Sequence, residues 1–259
     1  MLLLIDGTNV VMRYAAAMVP KELSEIGRIP DEMAVKVLES VTRSMFECAK
    51  IAEATHMIVA LDSTVGSWRR AKYPEYKANR STSTAEWTNR LAMHLHALNV
   101  YTVRVPEFEA DDIIATLAAR AGRASKAVSI LSSDSDLLQL AALNVTCYQY
   151  GGQNEARFVP RSMAWIRAKY DIDSVGHLPA FKALVGEPGD HLPGVPGIGK
   201  VKAKKLLEQN TIEALKSSPQ IDGPQFTLML ELTTLRIDVP IDPVSPGACR
   251  IDTRRGCGC

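Results

Sequence analysis

The chain has 259 residues, 46% of them apolar and 23% charged, with a formal net charge of +1. That is the profile of a soluble globular protein with one large domain, or a core domain plus a smaller satellite. The first apolar run meets Asp6 after five residues, which excludes a signal peptide or a membrane span, and no later run is long enough to cross a bilayer. Five cysteines without a regular framework exclude a disulfide scaffold and indicate a reducing, cytoplasmic setting. Cys257 and Cys259 lack further ligands nearby for a metal site and read as a frayed tail.

Leu2–Ile5 is a short continuous apolar run, as in a buried strand, closed by Asp6-Gly-Thr-Asn. A helix follows to about Met18, then a connection over 20–30 with Pro20, Gly27 and Pro30. From Asp31 to about Ala54 the apolar spacing predicts a long helix. Met57–Leu61 is a second buried strand, and it too ends on an acid, Asp62. Between Arg69 and Arg80 there are five basic residues against one acid, with Trp68, Tyr73 and Tyr76 interleaved or adjacent. A helix over 86–98 and a strand over 100–105 lead into Glu109-Ala-Asp-Asp112 and a further helix. Ala127–Leu131 is another strand, followed by Ser132-Ser-Asp134-Ser-Asp136 and a short helix, and Val145–Tyr150 reads as a strand.

Strand and helix thus alternate, which argues for an α/β fold with a mainly parallel central sheet flanked by helices. Acidic groups recur just after the strands or at the helix starts that follow them, where open parallel sheets bind ligands. Any one acid could be a cap or turn residue. Their recurrence, and the three like charges packed into residues 109–112, point instead to a shared divalent cation.

Beyond residue 160 the pattern is helical, without clear strands. Its centre is Gly186-Glu-Pro-Gly-Asp-His-Leu-Pro-Gly-Val-Pro-Gly-Ile-Gly, which runs into Lys200, Lys202, Lys204 and Lys205. A glycine-rich loop opening a helix offers N–H groups to a phosphate, although a plain interhelical turn with a solvated basic face reads similarly. The spacing matches neither the Rossmann nor the Walker pattern.

Taken in order, these motifs resemble those of the 5′-nuclease (flap endonuclease) family, which includes phage 5′-exonucleases and the N-terminal nuclease domain of bacterial DNA polymerase I. The resemblance covers roughly residues 1–236. It rests on Asp6-Gly-Thr-Asn with Arg13, Asp62 with Tyr-Lys-Ala-Asn-Arg80, Glu109-Ala-Asp-Asp, Ser133-Asp-Ser-Asp-Leu and the Gly186–Gly199 run. It implies a PIN-like nuclease core over 1–160 with a helical arch at about 66–95, a helix–three-turn–helix subdomain over 161–239 and an irregular tail over 240–259.

The implied activity is structure-specific, metal-dependent cleavage of DNA at a 5′ flap or single-strand/double-strand junction, by a monomer. The resemblance assigns one Mg²⁺ or Mn²⁺ to Asp6, Asp62, Glu109 and Asp111, with Asp112 between the clusters. It assigns a second ion to Asp134, Asp136, Glu187 and Asp190. Tyr76, Lys77 and Arg80, with Arg13, match the group at the scissile phosphate. Arg69, Arg70 and Lys72 would meet DNA along the arch. Gly194, Gly197, Ile198, Gly199, Lys200 and Lys202 would grip the duplex backbone, with K⁺ at the loop.

Elementary chemistry agrees with this assignment. Two divalent ions about 3.5–4 Å apart activate a water and stabilise a leaving oxygen. Carboxylate ligands suit Mg²⁺ or Mn²⁺ rather than Zn²⁺. Aromatic residues among basic ones suit stacking on unpaired bases, and equally suit packing beneath an arch. Three positions depart from the family pattern: Glu187 where Asp is usual, His191 where Asn is common, and Ser135 in place of a Lys. All three gather on the second metal site. The alternatives are a junction-binding protein with weakened catalysis at that site, and a metal-dependent ribonuclease on a similar core.

Overall fold

The computed structural model describes residues 1–25, 29–78, 83–142 and 144–252. Six strands form one sheet: β1 (Leu2–Asp6), β2 (His56–Ala60), β3 (Thr102–Val103), β4 (Val128–Leu131), β5 (Val145–Tyr150) and β6 (Phe158–Arg161), in the order β3-β2-β1-β4-β5-β6. All neighbours are parallel except β5 and β6, which are antiparallel. The connections diverge from β1, so its carboxyl end and that of β4 flank the crevice where such sheets bind ligands.

Alternation along β1 sets the layers. Leu3 and Ile5 face a core shared with α1 (Gly7–Met18), α3 (Asp31–Ile51) and α5 (Ser83–Ala97), and the short α2 (Lys21–Glu25) lies in the connection between the first two. Leu4 faces the opposite core, with Ile113, Ile114 and Leu117 of α6 (Ala110–Arg123). Each of these fully buried aliphatic side chains contributes about 1.5–3 kcal/mol relative to exposure. Gly7 is required at the first turn: a Cβ there would stand 2.6 Å from Val59 Cγ1 and 2.7 Å from Leu61 Cδ2.

The Leu4 core continues without a break into the C-terminal helices. These are α7 (Met163–Tyr170), α8 (Leu178–Val185), α9 (Lys200–Gln209), α10 (Ile212–Lys216) and α11 (Gly223–Thr233), with Phe181, Leu184, Phe226 and Met229 in the same cluster. α4 (Trp68–Lys72) sits above the sheet edge. Within the 66–95 segment, α5 buries Trp87, Leu91 and Leu95 in the Leu3 core.

Three features differ from the sequence expectation. A strand forms at Phe158–Arg161 where helix was expected, and Pro160 within it is tolerated because β6 is an edge strand. The strand expected over 100–105 pairs only through Thr102 and Val103. Residues 240–252 lack helix and strand, yet Ile241 and Cys249 are buried, and the Met57 N–H donates to Cys249 O at 2.8 Å. Arg80, Cys257 and Cys259 lie outside the described residues.

Candidate metal centre and nucleic-acid interface

Asp6 ends β1 and caps α1, accepting from the Asn9 N–H at 2.9 Å, while its other oxygen accepts from Ser132 Oγ at 2.8 Å. Asp62, just beyond β2, accepts the Ala110 N–H at 2.8 Å and so ties itself to the start of α6. Asp134 follows β4 and accepts the Asp136 N–H at 2.8 Å. Helix α6 then delivers Glu109 and Asp111. These five carboxylates line one cleft of about 770 Å³ together with Arg13 and Lys77. An adjoining cleft of about 400 Å³ shares Asp62, Lys77 and Glu109 and adds Arg70 and Tyr76.

Crowding and burial dominate the electrostatics of this cleft. Burial first, then the Asp62 and Asp134 charges, push the Asp6 carboxyl up to about 7. Burial, with Asp134 and Asp6 adding to it, raises Asp111 well above the usual carboxylate range. Burial would raise Glu109 as well, but Lys77 and Arg69 outweigh it and bring it down to about 2. Lys77 donates to Glu109 Oε2 at 2.6 Å, and Tyr76 to the same oxygen at 3.1 Å. Lys77 also lies 3.6 Å from Asp190 Oδ2, so its ammonium spans the two acidic groups.

The second group is Asp136, Glu187 and Asp190, whose carboxylate oxygens lie within 4.8 Å of one another. Gly186 and Gly194 allow this loop to close: both have positive φ, and a Cβ on Gly194 would stand 2.5 Å from the Gly186 nitrogen. Between Asp136 and Glu187 sits a residue that sequence reasoning missed. Lys182 of α8 is 5% exposed and donates to Ser135 Oγ at 2.8 Å, to Glu187 Oε1 at 2.9 Å and to Asp136 Oδ1. The positive charge that Ser135 withholds is thus supplied from α8. Burial would lower the Lys182 ammonium, but Asp136 and Glu187 reverse that and raise it. Burial first, then Asp136, lifts Glu187 to about 7.

The residues fit divalent cations. All donors are carboxylate oxygens, the set for Mg²⁺ or Mn²⁺. Asp111 Oδ1 and Glu187 Oε2 are buried without a hydrogen-bond partner, acceptors that a cation would satisfy.

Two expectations need correction. Asp112 is not at the cleft: it is fully buried, and its oxygens accept Arg69 at 2.7 and 2.8 Å, Trp68 Nε1 at 2.9 Å and the Arg236 N–H at 2.9 Å. Being one residue on from Asp111 in a helix turns it about 100° away. Arg69, expected on DNA, is its partner and only 2% exposed, with Nε donating to Leu232 O at 2.8 Å. Ile198 is also buried and packs the loop rather than presenting it. Arg70, Lys72, Gly197, Gly199, Lys200 and Lys202 are exposed, with Lys72 paired to Glu231. Arg13 is exposed, its guanidinium 4.6 Å from the Tyr150 ring centroid.

Among known proteins, the family described as 5′-3′ exonuclease, N-terminal resolvase-like domain, matches residues 1–171. The chain belongs to this 5′-3′ exonuclease family. DNA polymerase I of Mycobacterium tuberculosis is 33% identical over 220 residues, 83% of this chain and 24% of the polymerase. The chain therefore spans about a quarter of the length of such polymerases. Flap endonuclease Xni of Shewanella putrefaciens is 30% identical over 256 residues, covering 93% of this chain and 91% of that protein. The fold is shared with a bacteriophage T5 protein crystallised with metal ions (TM-score 0.66, 19% identity, 90% of this chain and 87% of that one). It is shared also with human GEN1 bound to Holliday junction DNA (TM-score 0.57, 16% identity, 95% and 63%).

Proposed function

We propose that the chain is a metal-dependent phosphodiesterase, a structure-specific DNA 5′-nuclease acting at 5′ flaps and single-strand/double-strand junctions. The observation that carries this reading is the convergence of Asp6, Asp62, Glu109, Asp111 and Asp134 on one cleft, from four separate points of the chain. The family, and the near full-length match to a protein named flap endonuclease, support it.

Asp6, Asp62, Glu109 and Asp111 hold one divalent ion, directly or through water, and Asp134, Asp136, Glu187 and Asp190 hold a second. Bound there, Mg²⁺ or Mn²⁺ supplies an activated water and stabilisation of the leaving oxygen. Lys77, now balanced against Glu109 and Asp190, turns its ammonium to the scissile phosphate, where it offsets the charge that grows in the transition state. Arg13 and Arg80 add to that field, and Tyr76 orients Glu109 through its phenol. Residues 66–95 guide single-stranded DNA past the cleft. Lys200 and Lys202, at the start of α9, take the duplex backbone, with K⁺ at the Gly194–Gly199 loop.

The test is incubation of the purified chain with 5′-flap DNA and Mg²⁺ or Mn²⁺, then with EDTA. Cleavage that EDTA abolishes is the expected result. The second reading, a junction-binding protein without catalysis, draws on one observation: the Lys182 ammonium lies inside the second acidic cluster. Tight DNA binding without metal-dependent cleavage would establish that reading instead.

A further inference from the structure

We propose that Lys182 is a built-in counter-ion of the second acidic cluster, and that a divalent ion enters this cluster only by displacing the Lys182 ammonium. The inference deepens the metal-dependent reading above and rests on it.

An ammonium has three donors, and the three partners of Lys182 are Ser135 Oγ, Glu187 Oε1 and Asp136 Oδ1. Two of these partners are also two of the three carboxylates whose oxygens lie within 4.8 Å of one another. A cation bridging Asp136 and Glu187 would therefore need the positions the ammonium already holds. The ammonium is not a surface group that drifts into place: its side chain is 6% exposed, and its neighbours on α8, Phe181 and Leu184, are packed in the core. The incoming ion must outweigh every hydrogen bond that the ammonium gives up, so its binding is weakened by the coupling between the two cations.

The first group of carboxylates is built differently. Its counter-charges, Lys77 and Arg69, meet Glu109, whereas Asp111 keeps a buried oxygen without a partner. An ion entering there gains an acceptor that nothing else satisfies. The two positions are consequently unequal. The first fills at low divalent concentration, and the second only at higher concentration, so Lys182 sets a metal threshold for the doubly loaded state.

Mn²⁺ binding to the full chain without DNA, followed by calorimetry and by the electron-paramagnetic signal of free Mn²⁺, tests this. The wild type should show a tight class and a weaker class. Lys182→Gln, which keeps a hydrogen-bond donor and loses the charge, should tighten the weaker class by about tenfold or more and leave the tight class unchanged. Lys182→Arg, which keeps the charge, should remain weak. Adding Glu187→Gln to Lys182→Gln should remove the gain. Lys182→Met serves as the charge-free variant if Lys182→Gln does not fold. An isotherm for the charge-free variant that superimposes on the wild type, or shows a weakened second class, overturns the proposal. The absence of any Mn²⁺ binding by the wild type would overturn the metal-dependent reading itself.

Discussion

At Asp6 one carboxylate both caps a helix and faces the cleft. That dual use is why an acid after a buried strand is easy to find in the sequence and hard to assign: the local pattern of a cap and of a ligand is the same. Asp62 and Asp134 were legible for the same reason, since each directly follows an apolar run. Lys182 and Arg69 were not. Lys182 meets Asp136 across 46 residues and Arg69 meets Asp112 across 43, and no local signal marks a lysine or arginine for burial. The crowded acids also predict a pH response. Folding holds the Asp6 and Glu187 protons more tightly than the unfolded chain does, because both groups titrate at about 7 in the fold. The metal-free protein should therefore lose stability as pH rises from the ordinary carboxylate range to about 7, and level off above that. Glu109, held down at about 2, is ionised throughout this window and adds no slope. Thermal unfolding measured across this range should show the decline, and saturating Mg²⁺ should flatten it. A Tm that climbs over the same interval without metal would contradict the burial argument.

At the scale of elements, the arch base is fastened to the rest of the molecule through α4. Arg69 joins Asp112 of α6 to the carbonyl of Leu232 in α11, and Trp68 adds an indole donor to the same carboxylate. The node connects the helix that carries Asp111 with the C-terminal helices. Removing one partner leaves the other as an uncompensated buried charge, so Arg69→Ala should destabilise the fold by about 3–5 kcal/mol. Urea denaturation checks this. Asp112→Asn should likewise lower stability while leaving the amount of Mn²⁺ bound unchanged, because Asp112 does not face the cleft; disappearance of a metal class in that variant would restore it as a ligand. Sequence pattern revealed the parallel strands well, since β1, β2 and β4 are continuous apolar runs. β6 escaped because Pro160 interrupts its signal, and only its edge position makes that proline acceptable.

At the scale of the molecule, a net charge of +1 conceals strong polarity. Acids gather in the cleft, while Arg13, Arg70, Lys200 and Lys202 stand exposed around it and on α9. Duplex binding should therefore weaken steeply with salt. Replacing Lys200 and Lys202 by alanine should reduce the slope of log affinity against log salt by about one for each phosphate that is no longer neutralised. A slope equal to that of the wild type would move the duplex interface elsewhere. The continuous Leu4 core makes the α/β core and the C-terminal helices one packed body, so the exposed lysines hold a fixed relation to the cleft.

The most direct measurement is cleavage of 5′-labelled flap DNA by the wild type and by Asp111→Asn, with binding of the same DNA measured in EDTA. Asp111 has a buried oxygen without a partner and lies where the carboxylates converge. The wild type should cut in Mg²⁺ and stop in EDTA. The variant should lose cleavage by about a hundredfold or more while binding DNA with similar affinity. A variant that cuts as fast as the wild type would contradict the placement of the metal centre at this cleft.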